Sequence, residues 1–175
     1  GQCTECGAWN TISEFRVAPK TKNPNSRYDG YAGTVANKVQ TLDKIDLQAL
    51  PRFTTGYTEF DRVLGGGGVL GSAILIGGSP GAGKSTLLLQ TMCFLAEHMP
   101  TLYVTGEESL QQVAMRAHRL GLATNKLNVL AETSVEAICS HAENLKPAIV
   151  VVDSIQVMHV ADISSAPGSV SQVRE

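Results

Sequence analysis

One octapeptide of the chain, residues 78–85, carries every fixed position of the pattern G-x-x-x-x-G-K-[ST]. Glycines in such a loop let successive backbone N–H groups turn inward and form a concave anion site. A helix that begins near Lys84 would aim the positive end of its dipole at the same anion. The pattern therefore predicts a loop that binds the phosphates of a nucleotide.

The side chains of this loop have separate expected tasks. Lys84 should reach the β- and γ-phosphates of ATP, and Ser85 should direct its hydroxyl at Mg²⁺. Thr86 is in position to contact the α-phosphate. The predicted nucleotide-binding residues are Gly78, Ser79, Pro80, Gly81, Ala82, Gly83, Lys84, Ser85, Thr86 and Asp153.

Three carboxylates follow predicted strands. Asp153 comes after an apolar run, where a carboxylate at the end of a parallel strand can hold the water shell of Mg²⁺. Glu107 and Glu108 follow a second strand, where one of them could polarise the water that attacks the γ-phosphate. We expect Glu107 to be this catalytic base, beside Lys84 as the residue that neutralises phosphate charge, and we keep Glu108 as the alternative.

The cysteines fall into two groups. Cys3 and Cys6 have the spacing of one half of a zinc ribbon, and a tetrahedral Zn²⁺ site would need two further ligands from before Gly1. A redox pair is the competing interpretation, but no thioredoxin-like βαβ pattern surrounds it. Cys93 and Cys139 lie in apolar helical patterns and are predicted to be buried, reduced thiols, which indicates a reducing cytoplasm.

Composition narrows the possible functions. The chain has 175 residues, a net charge of −2 and a pI of about 6.1, which excludes a generally basic nucleic-acid binder but not a local basic groove. No apolar run approaches the ~20 residues of a membrane span. The chain begins at Gly1 without a signal peptide and stops at Glu175 without a helix stop signal, so we interpret it as a piece of a longer protein.

Strands and helices are predicted to alternate from Leu50 onward. The Ser109/Gln112 pair indicates a capping box, and so does the Thr133/Glu136 pair. Arg116 and Arg119 are expected on a solvated helix face. The predicted strands are residues 72–77, 101–105, 127–130 and 148–153, of which the first is expected to be buried. The predicted helices are residues 84–98, 109–120 and 133–145.

The β-branched run that ends at Asp153 needs both of its faces covered, as in a parallel sheet. Alternating strands and helices then predict an α/β sandwich with right-handed crossovers. We divide the chain into the second half of a zinc finger (1–18), a linker rich in proline, glycine and polar residues (19–48) and a truncated ATPase domain (49–175).

The combination of motifs resembles the RadA (Sms) family of bacterial, RecA-like DNA-repair ATPases. The stretches that carry the resemblance are residues 3–11, 50–56, 59–67, 78–90, 102–109 and 152–156. The resemblance covers essentially the whole chain. The phosphate loop alone is shared by many ATPases, but its combination with the cysteine pair and the Thr-Gly-Glu-Glu-Ser stretch is much more specific for this family.

The resemblance implies a RecA-like P-loop core that forms hexameric rings on single-stranded DNA, preceded by a four-cysteine zinc finger. It implies processing and branch migration of recombination intermediates together with the RecA recombinase, in the response to DNA damage. By analogy, residues 169–174 would border a DNA-binding loop. It also implies that the strand which separates the phosphate-loop strand from the Asp153 strand lies beyond Glu175, so the sheet should have an unfilled position and the isolated chain should be poorly stable.

Two classes of function remain open. The first is a Mg²⁺-dependent, DNA-stimulated ATPase motor, favoured by Glu107 and Asp153 beside a complete phosphate loop. The second is a nucleotide-gated DNA-binding scaffold with little turnover, favoured by the acidic composition and the lack of an obvious basic stripe. A replicative helicase or a KaiC-like ATPase is a third possibility, against which the Cys3/Cys6 pair argues.

Overall fold

The computed structural model describes residues 41, 43, 51–161 and 166–170. Contacts along the chain separate Gly1–Leu47 from Gln48–Glu175, and every element below belongs to the second unit. In chain order the elements are β1 (Arg52–Phe53), α1 (Thr58–Val63), β2 (Gly68–Val69), α2 (Lys84–Ala96), β3 (Thr101–Thr105), α3 (Leu110–Arg119), β4 (Asn128–Ala131), α4 (Val135–Leu145), β5 (Ile149–Asp153) and a 3-10 turn (Ile155–Val157).

The main sheet has three parallel strands in the order β4-β3-β5. Thr105 is in register with Ala131 on one side and with Asp153 on the other, so all three strands end at the same edge. β1 and β2 form a separate antiparallel pair. The predicted α/β architecture with a mainly parallel sheet is confirmed.

Helices cover the central strand on both faces. Tyr103 packs with Leu89 and Met92 of α2 and with Val113 of α3. The next side chains along the strand point to the opposite face, where Leu102 and Val104 pack with Ile138 of α4 and with Met158. All five residues of β3 are buried, because this strand has neighbours at both edges and helices on both faces.

The helix boundaries follow the sequence signals at α3 but not entirely at α4. Ser109 and Gln112 form the predicted capping box, and Gly121 follows the helix with a φ of +65°. In α4 the predicted box of Thr133 and Glu136 is wrong.

The N-cap of α4 is Ser134, whose hydroxyl accepts from the backbone N–H of Ala137. The Glu132 carboxylate accepts from the backbone N–H groups of Thr133 and Ser134, which moves the start of the helix one residue along. The Glu136 carboxylate instead accepts hydrogen bonds from the Ser134 hydroxyl and from the backbone N–H of Ala161.

The prediction of two buried thiols holds for one of them. Cys93 on α2 is buried, and burial raises the pKa of its thiol. Cys139 on α4 is exposed, so the prediction is wrong there. The apolar pattern of α4 is real, but Ile138 is the one residue of this helix that is buried.

The predicted buried strand at residues 72–77 is also wrong. The segment forms no ladder, and Leu75 is 86% exposed. A strand needs a neighbour with matching N–H and C=O groups, and among the described residues no strand pairs with this segment or with the second edge of β5. Val150 and Val152 of β5 are correspondingly exposed, so that strand is covered on one face only.

Candidate functional site

The glycine-rich loop leads directly into the longest helix of the described chain. Gly81 and Gly83 have φ angles of +79° and +85°, a left-handed conformation that glycine adopts without strain. The N–H of Ala82 donates to the carbonyl of Ser79 at 3.1 Å and closes the turn between them. Gly83 is the N-cap of α2, which begins at Lys84 as the pattern predicts.

The Lys84 side chain curls back over the loop. Its Nζ donates to the carbonyl oxygens of Gly78 at 2.8 Å and Ser79 at 3.0 Å. An ammonium group has three N–H donors, and these two bonds leave one for another acceptor. The loop therefore holds a positive charge above its own backbone.

The loop has the form that a phosphate group requires. No side chain caps the start of α2, so its first N–H groups are available for an anion. A Cβ atom built on Gly81 or Gly83 would meet nothing within 4 Å, which shows open space beside the backbone. Ser85 and Thr86 lie in the first turn, half-buried. This loop fits the phosphates of a nucleotide.

Glu107, the predicted base, and Asp153, the predicted Mg²⁺ ligand, lie at one edge of the sheet. Asp153 is in register with Thr105, and the N–H of Gly106 donates to the Asp153 carbonyl at 3.0 Å. Glu107, the next residue, is exposed and accepts a hydrogen bond from the hydroxyl of Ser154. The pairing of β3 with β5 thus brings Glu107 and Asp153 together, although 46 positions separate them in the sequence.

Glu108 occupies a different environment from Glu107. Its carboxylate forms an ion pair with Arg116 of α3, whose side chain is only 12% exposed. The prediction of a solvated face is therefore wrong for Arg116, although Arg119 is exposed. Nη1 of Arg116 is buried and has no hydrogen-bond partner among the residues that the structure describes. The two adjacent glutamates therefore differ: Glu108 is paired with Arg116, and Glu107 is open to solvent.

Tyr103 is the functional-site neighbour that sequence reasoning missed. Its ring is fully buried, and its hydroxyl donates to Oδ2 of Asp153 at 2.5 Å. Burial and the Asp153 carboxylate raise the pKa of Tyr103 far above its ordinary value. One signal was available in the sequence. Residues two apart on a strand point to the same face, so Tyr103 lies on the same face as Thr105, the last residue of the predicted strand.

Several predicted features lie outside the described residues. Cys3, Cys6 and nearly all of the linker are among them, and so is most of the segment expected near DNA, residues 169–174. Within the described ranges no cluster of three or more histidine, cysteine, aspartate or glutamate side chains could hold a metal ion. In that same part of the chain no helix is long and apolar enough to cross a membrane.

The chain matches known proteins over its whole length. It is 67% identical to the DNA repair protein RadA of Haemophilus influenzae, 68% to that of Salmonella typhimurium and 48% to that of Bacillus subtilis. Each match covers 100% of this chain and 38% of the relative. The RadA resemblance is confirmed by these identities.

A family model described as "ATPase: KaiC" matches residues 53–148. This match includes the phosphate loop, α2, β3 and both glutamates. The expectation that the Cys3/Cys6 pair argues against a KaiC-like ATPase is wrong, because the matched residues do not include those cysteines. The chain belongs to the KaiC family of ATPases.

Proposed function

We propose that this chain is the nucleotide-hydrolysing part of a DNA-dependent ATPase that acts in recombinational DNA repair. The observation that carries the proposal is the meeting of Glu107 and Asp153 at the edge of the sheet, in a chain whose Lys84 loop fits phosphate. A scaffold that only binds nucleotide needs the loop but not a second, solvent-open carboxylate.

Mg²⁺ and ATP are the ligands that this set of side chains would take. Hydroxyl and carboxylate oxygens are the donors that Mg²⁺ prefers, and Ser85 and Asp153 are the residues proposed to hold it. When bound with ATP, Mg²⁺ neutralises charge that develops on the phosphates. Lys84 neutralises further charge and orients the phosphates against the loop.

Glu107 is proposed as the general base. Its carboxylate is exposed, and the hydrogen bond from Ser154 leaves further lone pairs for the attacking water. Glu108 is the weaker candidate, because its carboxylate is already engaged in an ion pair with Arg116 and is less free to contact a water molecule. Glu107 would accept a proton from the water as its oxygen attacks the γ-phosphate.

The wider role rests on the relatives. The proteins that match this chain are named DNA repair protein RadA, and the chain spans 38% of their length. We propose the same cytoplasmic role here, with single-stranded DNA and branched recombination intermediates as substrates, the RecA recombinase as a partner and a homo-hexamer as the active assembly. A zinc site at Cys3 and Cys6 is part of this proposal and depends on ligands from outside the chain.

The test is steady-state ATP hydrolysis by the full-length protein, with and without single-stranded DNA. Lys84→Ala should abolish turnover. Glu107→Gln should lower kcat by about 10²- to 10⁴-fold while nucleotide still binds, since loss of a general base removes a factor of that size. Glu108→Gln, the same change one residue along, is the matched control and should cost much less.

Two outcomes would contradict parts of the proposal. If the protein binds ATP but turnover with DNA stays at the Lys84→Ala level, the nucleotide-gated scaffold is the better description. If Glu108→Gln abolishes turnover and Glu107→Gln does not, the base is Glu108.

A further inference from the structure

Tyr103 combines a core position with a polar contact at the site. The ring is 0% exposed and packs among residues of α2 and α3, a role that phenylalanine would fill equally well. The hydroxyl has a separate task, because it donates to Oδ2 of Asp153 at 2.5 Å. In the described part of the chain Oδ1 of Asp153 has no hydrogen-bond partner.

The carboxylate of Asp153 needs such a contact if its orientation is to be fixed. The last torsion of an aspartate side chain is broad and roughly two-fold, so the rotamer alone does not decide where each oxygen points. A short hydrogen bond to one oxygen fixes the orientation of the carboxylate. The donor is itself held rigidly, since Tyr103 lies on the central strand with helices packed against it.

A second contact comes from α3. Arg116 lies near enough to the Tyr103 hydroxyl to lower its pKa, against the larger increases from burial and Asp153. The same guanidinium pairs with Glu108, the residue after the proposed base. The phenol oxygen therefore has a cation on α3 and a carboxylate on β5 as neighbours, which favours its proton pointing toward the carboxylate.

We propose that Tyr103 is a positioning residue that holds Asp153 through Oδ2 and so leaves Oδ1 for the Mg²⁺ of bound nucleotide. This inference rests on the proposed function, because it assumes that Asp153 faces the metal. Tyr103 would thus act on the bound nucleotide only through Asp153, without contacting the nucleotide itself.

The experiment measures how Mg²⁺ promotes binding of a fluorescent ATP analogue to the full-length protein. Tyr103→Phe removes only the hydroxyl and keeps the ring in the core. It should raise the Mg²⁺ concentration at half-maximal effect by about 10-fold or more, the range found when partners of metal ligands are removed. Binding without Mg²⁺ should be unchanged. Tyr57→Phe, which removes the same group before α1, is the control and should change neither value.

A double variant separates positioning from a structural effect. If Tyr103 acts only through Asp153, adding Tyr103→Phe to Asp153→Asn should shift the Mg²⁺ dependence no further. An unchanged Mg²⁺ dependence in Tyr103→Phe, or equal further shifts in both backgrounds, overturns the inference while the phosphate loop stands. Failure of the unmodified protein to bind the analogue overturns the proposed function instead.

A second measurement needs no change at position 103, in case Tyr103→Phe does not fold. The intensity ratio of the tyrosine Raman doublet reports whether a phenol donates a strong hydrogen bond. Comparison of the unmodified protein with Asp153→Ala, which has no side-chain acceptor, should show the loss of one strongly donating tyrosine. An unchanged ratio would overturn the inference.

Discussion

Two apolar segments of this chain have opposite fates. Residues 101–105 and residues 72–77 are both predicted from the sequence to be strands, yet every residue of the first is buried and the second is largely exposed without a ladder. The first has β4 and β5 at its edges and helices on both faces, and the second has none of these among the described residues. Burial is a property of the neighbours, not of the segment.

The same contrast divides the candidate functional site. The edge that carries Glu107 and Asp153 is fixed by strand pairing, and the hydrogen bonds from Tyr103 to Asp153 and from Ser154 to Glu107 reach from one strand to the next. The phosphate loop is held by contacts within itself, from Lys84 to its own carbonyl oxygens. One half of the site therefore depends on the fold of the sheet, and the other on local backbone chemistry.

The largest expected effect compares one substitution in the two segments. Leu102 is 3% exposed and Leu75 is 86% exposed. Leu102→Ala should lower the free energy of unfolding by about 2–5 kcal/mol, through lost transfer energy and a cavity. Leu75→Ala should cost less than about 0.5 kcal/mol. Urea unfolding of both variants measures the difference, and similar costs would show that residues 72–77 are buried in solution.

A smaller effect is expected at two glycines. A Cβ at Gly106 would lie 2.4 Å from Cγ2 of Val157, so Gly106→Ala should destabilise the protein by about 1–3 kcal/mol through overpacking. A Cβ at Gly77 meets nothing within 4 Å, and Gly77→Ala should be neutral or stabilising by up to about 1 kcal/mol. Thermal unfolding of the two variants tests this, and a reversed order would contradict the contrast between the closed and open segments.

The smallest effect concerns the turn before α1. The Asp61 carboxylate accepts from the hydroxyls of Thr54 and Thr55 and from the Thr55 N–H, and these bonds hold its pKa below 3.8. Because the folded-state pKa is depressed, the stabilisation is fully present above the unfolded value and is lost as pH falls through the folded one.

The stability advantage over Asp61→Asn should therefore be constant near neutral pH and shrink only in acid, below about 3.8. Urea unfolding across this pH range measures it. A difference that stays the same down to acid pH would show that the charge of Asp61 contributes nothing, and that this turn is held by its remaining contacts.

Local patterns in the sequence determined a large part of this protein. The phosphate loop, the start of α2 at Lys84, the capping box of Ser109 and the full extent of β3 all follow from residues near each other in the chain. Each depends on backbone geometry or capping within a few residues, so it can be predicted directly from the local sequence.

Only the tertiary structure decided the remainder, because it depends on groups far apart in the chain. Strand pairing joins Glu107 to Ser154 and Tyr103 to Asp153, and the packing of α3 pairs Glu108 with Arg116. The apolar pattern of α4 likewise could not predict that Cys139 is exposed. A periodic pattern shows which face of a segment is apolar, and only the neighbouring elements determine whether that face is covered.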